Sequence, residues 1–151
     1  MTQVGEQAPD FTLKSGEGDE VTLSALRGQK VVLAFYPLDW SPGCQDQMDG
    51  FTKDYAKFEA QGAQVFGISV DSTWSHKAWK DARGLAFPLL ADFHPKGAVA
   101  EAYGVYNAER GNARRVTFII DEHGLVRDKD ESAAGQVPSV DLVCDMLSKV
   151  G

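Results

Sequence analysis

Cys44 is the residue on which chemistry is most readily built. It follows Tyr36, Pro37, Leu38, Asp39, Trp40, Ser41, Pro42 and Gly43, a stretch that leaves an apolar run and turns, and it precedes the polar Gln45, Asp46 and Gln47. A thiol at such a strand-to-helix junction meets backbone N–H groups without intrahelical acceptors and the positive end of a helix dipole, and both favour the nucleophilic thiolate. A free cysteine can instead be a small apolar core residue, but Pro42, Gly43 and the polar residues after Cys44 are a poor setting for one. Ser41 carries a hydroxyl that can donate and accept in the same pocket, or else cap the helix. Pro37 has fixed geometry and no N–H, so it can form a pocket wall as well as end a strand.

A positive charge beside the sulfur would complete such a site, and Arg115 is the candidate. It precedes the apolar run Val116, Thr117, Phe118, Ile119, Ile120; pointing inward, it is a costly charge that must find a partner. The alternative is an exposed arginine at a strand end. Neighbouring strand residues face opposite ways, so only one of Arg114 and Arg115 can reach Cys44. Tyr36 and Trp40 can supply an apolar collar or a subunit contact, and Trp79 reads as core or collar.

The second cysteine, Cys144, lies among Val140, Val143 and Leu147 and reads as packing. There is no Cys-x-x-Cys, and His76, His94 and His123 fall on separate elements without metal-ligand spacing. Redox chemistry here rests on thiols, and no cofactor or metal is expected.

The positioning elements follow from period. Lys30 to Phe35 lacks alternation and predicts a strand covered on both faces. Met48, Phe51, Tyr55 and Phe58 then repeat at helical spacing up to Gly62, with Gly50 marking close packing or a bend. Val65 to Val70 is a second buried strand, followed by a cap at Asp71, Ser72, Thr73 and a helix to about Arg83. Phe87 to Leu90 reads as a short strand and Ala98 to Tyr103 as a short helix. Arg115 to Asp121 pairs with Leu125 and Val126 as a hairpin, and Ser139 to Val150 closes the chain as an amphipathic helix. Ahead of these, Ala8 to Leu13 and Val21 to Leu23 flank a turn around Gly16 and Gly18; without a third glycine and a long helix this is an N-terminal hairpin, not a dinucleotide cradle. The order predicts an α/β chain with a central mixed sheet flanked by helices.

The chain of 151 residues predicts one domain over 1–151. Its 15 basic and 22 acidic residues give a net charge of -7, which argues against a nucleic-acid surface or adhesion to anionic membrane. Met1 to Gln7 has no charged leader or apolar core, so the expected location is cytoplasmic.

Pro37, Ser41 and Cys44, placed just after Lys30 to Phe35, resemble the Pro-x-x-x-Thr/Ser-x-x-Cys signature of the peroxiredoxins, the alkyl hydroperoxide reductase and thiol-specific antioxidant family. Arg115 to Phe118 is similar to that family's Arg-x-x-Phe. The resemblance implies a thioredoxin-like fold and an oxidoreductase, an antioxidant peroxidase that reduces hydrogen peroxide and organic hydroperoxides as Cys44 becomes a sulfenic acid. Gln47 departs from the glutamate that many members carry. Asp49 stands where some relatives place a second cysteine, and the carboxy-terminal Val-Cys-Pro segment is absent. The chain therefore resembles the one-cysteine, AhpE-like group, recycled by an external thiol or a thioredoxin/glutaredoxin-like protein, with a homodimer expected. Cys144 as resolving cysteine is the alternative within the family. Thiol exchange, or a redox-inert thioredoxin-fold binding protein, are the alternatives outside it.

Overall fold

The computed structural model describes residues 1–133 and 135–150. In chain order the strands and helices are β1 (Thr12–Ser15), β2 (Glu20–Thr22), β3 (Lys30–Phe35), α1 (Pro42–Lys53), α2 (Tyr55–Glu59), β4 (Ala63–Ser69), α3 (Thr73–Arg83), β5 (Leu89–Ala91), α4 (Ala98–Ala102), β6 (Tyr106–Asn107), β7 (Asn112–Ala113), β8 (Val116–Ile120), β9 (Val126–Glu131) and α5 (Val140–Ser148). Seven strands form one sheet in the order β2-β1-β5-β4-β3-β8-β9, and β6 pairs with β7 alone. β3, β4 and β5 run parallel, while β8 lies antiparallel to β3. This is the thioredoxin-like mixed sheet with helices on both faces and an N-terminal hairpin, β1 to β2.

The central strand β3 explains the layering. Side chains alternate across a strand, so Val32, Ala34 and Tyr36 enter one core with Met48, Phe51, Trp79, Val143 and Leu147, while Val31, Leu33 and Phe35 enter the other with Tyr103, Phe118 and Ile120. Burial on both faces is why the run shows no alternation in hydropathy. Gly67 of β4 gives the first core its tightest seam: a Cβ there would meet Tyr36 Cε1 at 3.1 Å and Leu89 Cδ2 at 2.8 Å.

Most elements fall where the periodicity puts them, and α3 has its expected cap, with Ser75 N donating to Ser72 Oγ at 3.1 Å and Gly84 in the left-handed region at φ 63°. The helix after Cys44 differs. It breaks at Asp54, φ -110°, and not at Gly50, where a Cβ would meet nothing within 4 Å. The break lets Phe51 and Phe58 meet edge to face with ring centroids 5.4 Å apart, a contact worth about 0.5–1.5 kcal/mol beyond burial. β9 runs on to Glu131, well beyond Val126, because β8 offers a paired edge along its whole length. Among the described residues, no helix is long and apolar enough to cross a membrane.

Candidate active site

Cys44 stands at the third residue of α1. Ser41 is the N-cap and Pro42 the first helical residue, where a missing N–H costs nothing. The first i to i−4 bond runs from Gln45 N to Ser41 O, 2.9 Å, so the amides of Gly43 and Cys44 precede the helical ladder and remain donors at the positive end of the helix. The Cys44 side chain itself is buried in the first core, at 0% exposure.

Arg115, just ahead of β8, reaches the sulfur. Its Nη2 donates to Cys44 Sγ at 3.3 Å and its Nη1 to Gln47 Oε1 at 2.6 Å. β3 and β8 are neighbours, with Phe35 opposite Val116, so the end of one strand and the start of the other bring Cys44 and Arg115 together across 71 residues of chain. Arg114 faces the other way, to Glu131 Oε2 at 2.8 Å and the Gly104 carbonyl at 3.3 Å, as strand alternation requires. Gly43 leaves the guanidinium room, since a Cβ there would stand 3.2 Å from Nη2.

Gln47 is 1% exposed, and its Nε2 has no hydrogen-bond partner among the described residues. Its oxygen is the anchor for Arg115. Replacing Gln47 with alanine is expected to slow the reaction of Cys44 with peroxide about tenfold, the value of one charge-assisted bond that holds the guanidinium. Stopped-flow oxidation of the thiol measures it; an unchanged rate would mean that Arg115 holds its place unaided.

The loop between β3 and α1 is held from behind by a buried polar cluster that sequence reasoning missed. Asp39 is the hub: Oδ1 accepts from Tyr36 Oη at 2.6 Å, and Oδ2 from Ser75 Oγ at 2.8 Å and His76 Nδ1 at 2.8 Å. The other His76 nitrogen faces the Leu90 carbonyl at 2.9 Å. Asp39 N donates to Asp71 Oδ2 at 2.8 Å, which also takes the Ser69 hydroxyl. Burial first, and then the Asp39 charge, push the Tyr36 phenol well above its ordinary value, which keeps it a donor. The signal was a charged residue between Leu38 and Trp40 and a histidine within an otherwise ordinary helix; neither has a spacing that reveals its partner.

Several expected pocket residues lie elsewhere. Tyr36 and Trp79 are fully buried, so neither is an exposed collar. Their aromatic surface is spent on the core, 5.7 Å apart between ring centroids, and Trp79 Nε1 donates to Gln45 Oε1 at 3.5 Å. Trp40 is 49% exposed and has φ 71°, an uncommon conformation for a bulky residue. Ser41 donates its hydroxyl proton to the Leu38 carbonyl at 3.0 Å, which closes the turn, not to the sulfur. The opening beside the site is a cleft of about 350 Å³ lined by Pro37, Arg110, Asn112, Arg114, Arg115 and Glu131 among others.

Residues 4–129 match the model of the AhpC/TSA family. The chain belongs to that family. The peroxiredoxin relatives include alkyl hydroperoxide reductase E of Mycobacterium tuberculosis, 40% identical over 149 residues, covering 98% of this chain and 97% of that one. The putative peroxiredoxin bcp of Coxiella burnetii is 38% identical over 130 residues, 82% of this chain and 85% of its own. Among solved structures, AhpC of Enterococcus faecalis superposes with a TM-score of 0.90 at 28% identity, covering 98% of this chain and 92% of that chain. Peroxidoxin BcpB of M. tuberculosis superposes at 0.89 with 29% identity, covering 100% and 99%. As an AhpC/TSA peroxiredoxin of the AhpE-like kind, the chain places its motif cysteine at the start of α1, next to the one arginine that β8 turns inward.

Proposed function

We propose that this AhpC/TSA protein is a thiol-dependent peroxidase whose Cys44 thiolate attacks the terminal oxygen of a hydroperoxide. An S–O bond forms, the O–O bond breaks, and the distal alkoxide or hydroxide leaves with the electron pair and is protonated to alcohol or water. Cys44 is oxidised by two electrons to the sulfenic acid. The observation that carries this reading is the Arg115 Nη2 contact with Cys44 Sγ at 3.3 Å, a fixed positive charge where the nucleophile is anionic and where negative charge moves onto the leaving oxygen. Gly43 and Cys44 amides supply further donors, Pro37 forms a wall without an N–H, and Ser41 shapes the turn.

Recycling in this proposal needs an external thiol or a thioredoxin-like protein. Cys144 is half-buried on α5, whose Asp141 meets Lys57 at 3.7 Å, with Lys57 in turn 3.9 Å from Asp54, and burial pushes the Cys144 thiol up. Asp54 ends α1, ten residues beyond Cys44; at 1.5 Å per residue that is about 15 Å along the helix. Disulfide formation needs Cα atoms about 5.5–6 Å apart, so Cys144 serves as packing. Replacing Cys144 with serine is expected to leave both peroxide consumption and recycling by a small thiol within about twofold of the parent, since a half-buried single-atom change is commonly tolerated. Retained oxidation with lost recycling would restore Cys144 as the resolving residue. The proposal extends to a homodimer in a reducing cytoplasm. It is consistent with two free thiols and with exposed Leu38, Trp40 and Trp74, and is checked by light scattering.

The direct test is intact mass of the reduced protein after one equivalent of hydroperoxide, followed by peptide mapping. A gain of one oxygen at Cys44 is expected. An unchanged mass would sink the peroxidase reading and favour a redox-inert binding domain.

A further inference from the structure

Two buried side-chain atoms among the described residues have no hydrogen-bond partner, Gln47 Nε2 and Thr117 Oγ1. Folded interiors rarely leave such groups unpaired, and Gln47 is the one whose other end is tied to the arginine that meets the reactive sulfur. Turning the amide round does not relieve it. Oε1 accepts from Arg115 Nη1 at 2.6 Å, and a guanidinium offers donors only, so the reversed amide would set N–H against N–H. The Nε2 hydrogens are committed to a place where the described residues supply no acceptor.

That place is next to Cys44. Gln47 follows it by three residues on α1, a spacing that puts both side chains on one face of the helix with Cβ atoms about 5–6 Å apart. One guanidinium spans the pair, Nη2 on Sγ at 3.3 Å and Nη1 on Oε1. Both side chains are buried, Cys44 at 0% and Gln47 at 1% exposure. Sulfur is a weak acceptor. An oxygen bonded to that sulfur is a far better one, above all when it carries negative charge.

We propose that Gln47 Nε2 is the donor for the oxygen that Cys44 acquires, and that it acts when the sulfenic acid is reduced. The proposal rests on the peroxidase reading above, which supplies that oxygen. An external thiol attacks Cys44 Sγ as its thiolate: an S–S bond forms, the S–O bond breaks, and the oxygen departs with the electron pair as hydroxide. The hydroxide takes the proton that the thiol released and becomes water. Cys44 is reduced and the thiol oxidised as a mixed disulfide, which a second thiol opens, freeing Cys44 and leaving the thiol's own disulfide. Negative charge grows on the departing oxygen, and an N–H already in place stabilises it; burial strengthens the bond, since the local dielectric is low. Gln47 thus serves the two half-reactions with different ends, its oxygen holding Arg115 for oxidation and its nitrogen receiving the leaving oxygen in reduction.

The test uses two variants. Gln47→Glu keeps an acceptor for Arg115 and removes the N–H, the guanidinium favouring the ionised acid; Gln47→Met removes both acceptor and donor without adding charge. Cys44 is oxidised with one equivalent of hydrogen peroxide under stopped flow, and the sulfenic acid is then mixed with cysteamine, 2-mercaptoethanol or mercaptoacetate. Rapid quench and mass spectrometry give the rate constant for the mixed disulfide. In Gln47→Glu, reduction is expected to fall about tenfold further than oxidation does, the value of one hydrogen bond to a charged group, and by the same factor for all three thiols. Gln47→Met should lose at least as much in reduction and lose oxidation as well. A loss in reduction no larger than the loss in oxidation for Gln47→Glu means that Gln47 acts through Arg115 alone, and overturns the proposal. A loss graded from the cationic thiol to the anionic one reports the charge of the new carboxylate and overturns it too, as does parent-like reduction in Gln47→Met. A parent that gains no oxygen at Cys44 removes the peroxidase reading and this proposal with it, whereas a parent that gains the oxygen and whose reduction is indifferent to Gln47 removes the proposal alone.

Discussion

Replacing Arg115 with glutamine is expected to slow the oxidation of Cys44 by hydroperoxide about 10²- to 10³-fold, the usual cost of removing one donor aimed at developing negative charge. Glutamine keeps a donor and much of the volume but neither the charge nor the two-armed geometry. The parent side chain uses both arms, Nη2 on Sγ at 3.3 Å and Nη1 on Gln47 Oε1 at 2.6 Å, so lysine, with a single ammonium, is also expected to fall well short. The control is the adjacent residue. Arg114→Gln loses the ion pair with Glu131 at 2.8 Å between side chains 37% and 41% exposed, a pair with at most a small effect on stability, and it leaves the sulfur's surroundings intact. Stopped-flow oxidation of the parent and the three variants under the same conditions decides the matter. Equal and small effects at 114 and 115 would overturn the role given to Arg115.

The second large effect is on stability. Asp39→Ala is expected to lower the free energy of unfolding by about 3–5 kcal/mol, since each buried donor left without its acceptor costs about 1–3 kcal/mol. Both Asp39 and His76 side chains are 0% exposed, and the substitution leaves Tyr36 Oη, Ser75 Oγ and His76 Nδ1 without their acceptor. It also releases the loop that holds Trp40 at φ 71°, a conformation that survives only where the surroundings enforce it. Asp39→Asn should be intermediate: the amide oxygen can still accept from Tyr36, but the amide nitrogen meets the donors of Ser75 or His76. Urea unfolding measures all three proteins. A change below about 1 kcal/mol for Asp39→Ala, typical of an ordinary surface site, would show that the cluster does not hold the loop.

These two effects fall on different sides of what can be read from the chain. Cys44 and Arg115 were legible because each has a local signature, a proline-containing turn before a helix and a charged residue opening an apolar run. Asp39 and His76 were not legible, because a hydrogen bond across 37 residues leaves no trace in local composition. Tyr36, offered as a collar, and Trp79, offered as core or collar, both prove to be core. An aromatic in a turn and an aromatic in a helix look available for a pocket, yet both are consumed by the core that β3, α1 and α3 enclose.

The sequence by itself determined the elements: their order, the cap at Ser72, the two-sided burial of β3, and the nucleophile at the head of α1. Those depend on period, propensity and backbone stereochemistry, which act over a few residues. Tertiary structure alone decided that Gln47 anchors Arg115, that Asp39 and His76 meet behind the loop, and where α1 breaks. Each depends on strand register or on packing between distant segments, and there a one-residue slip would turn every side chain to the opposite face.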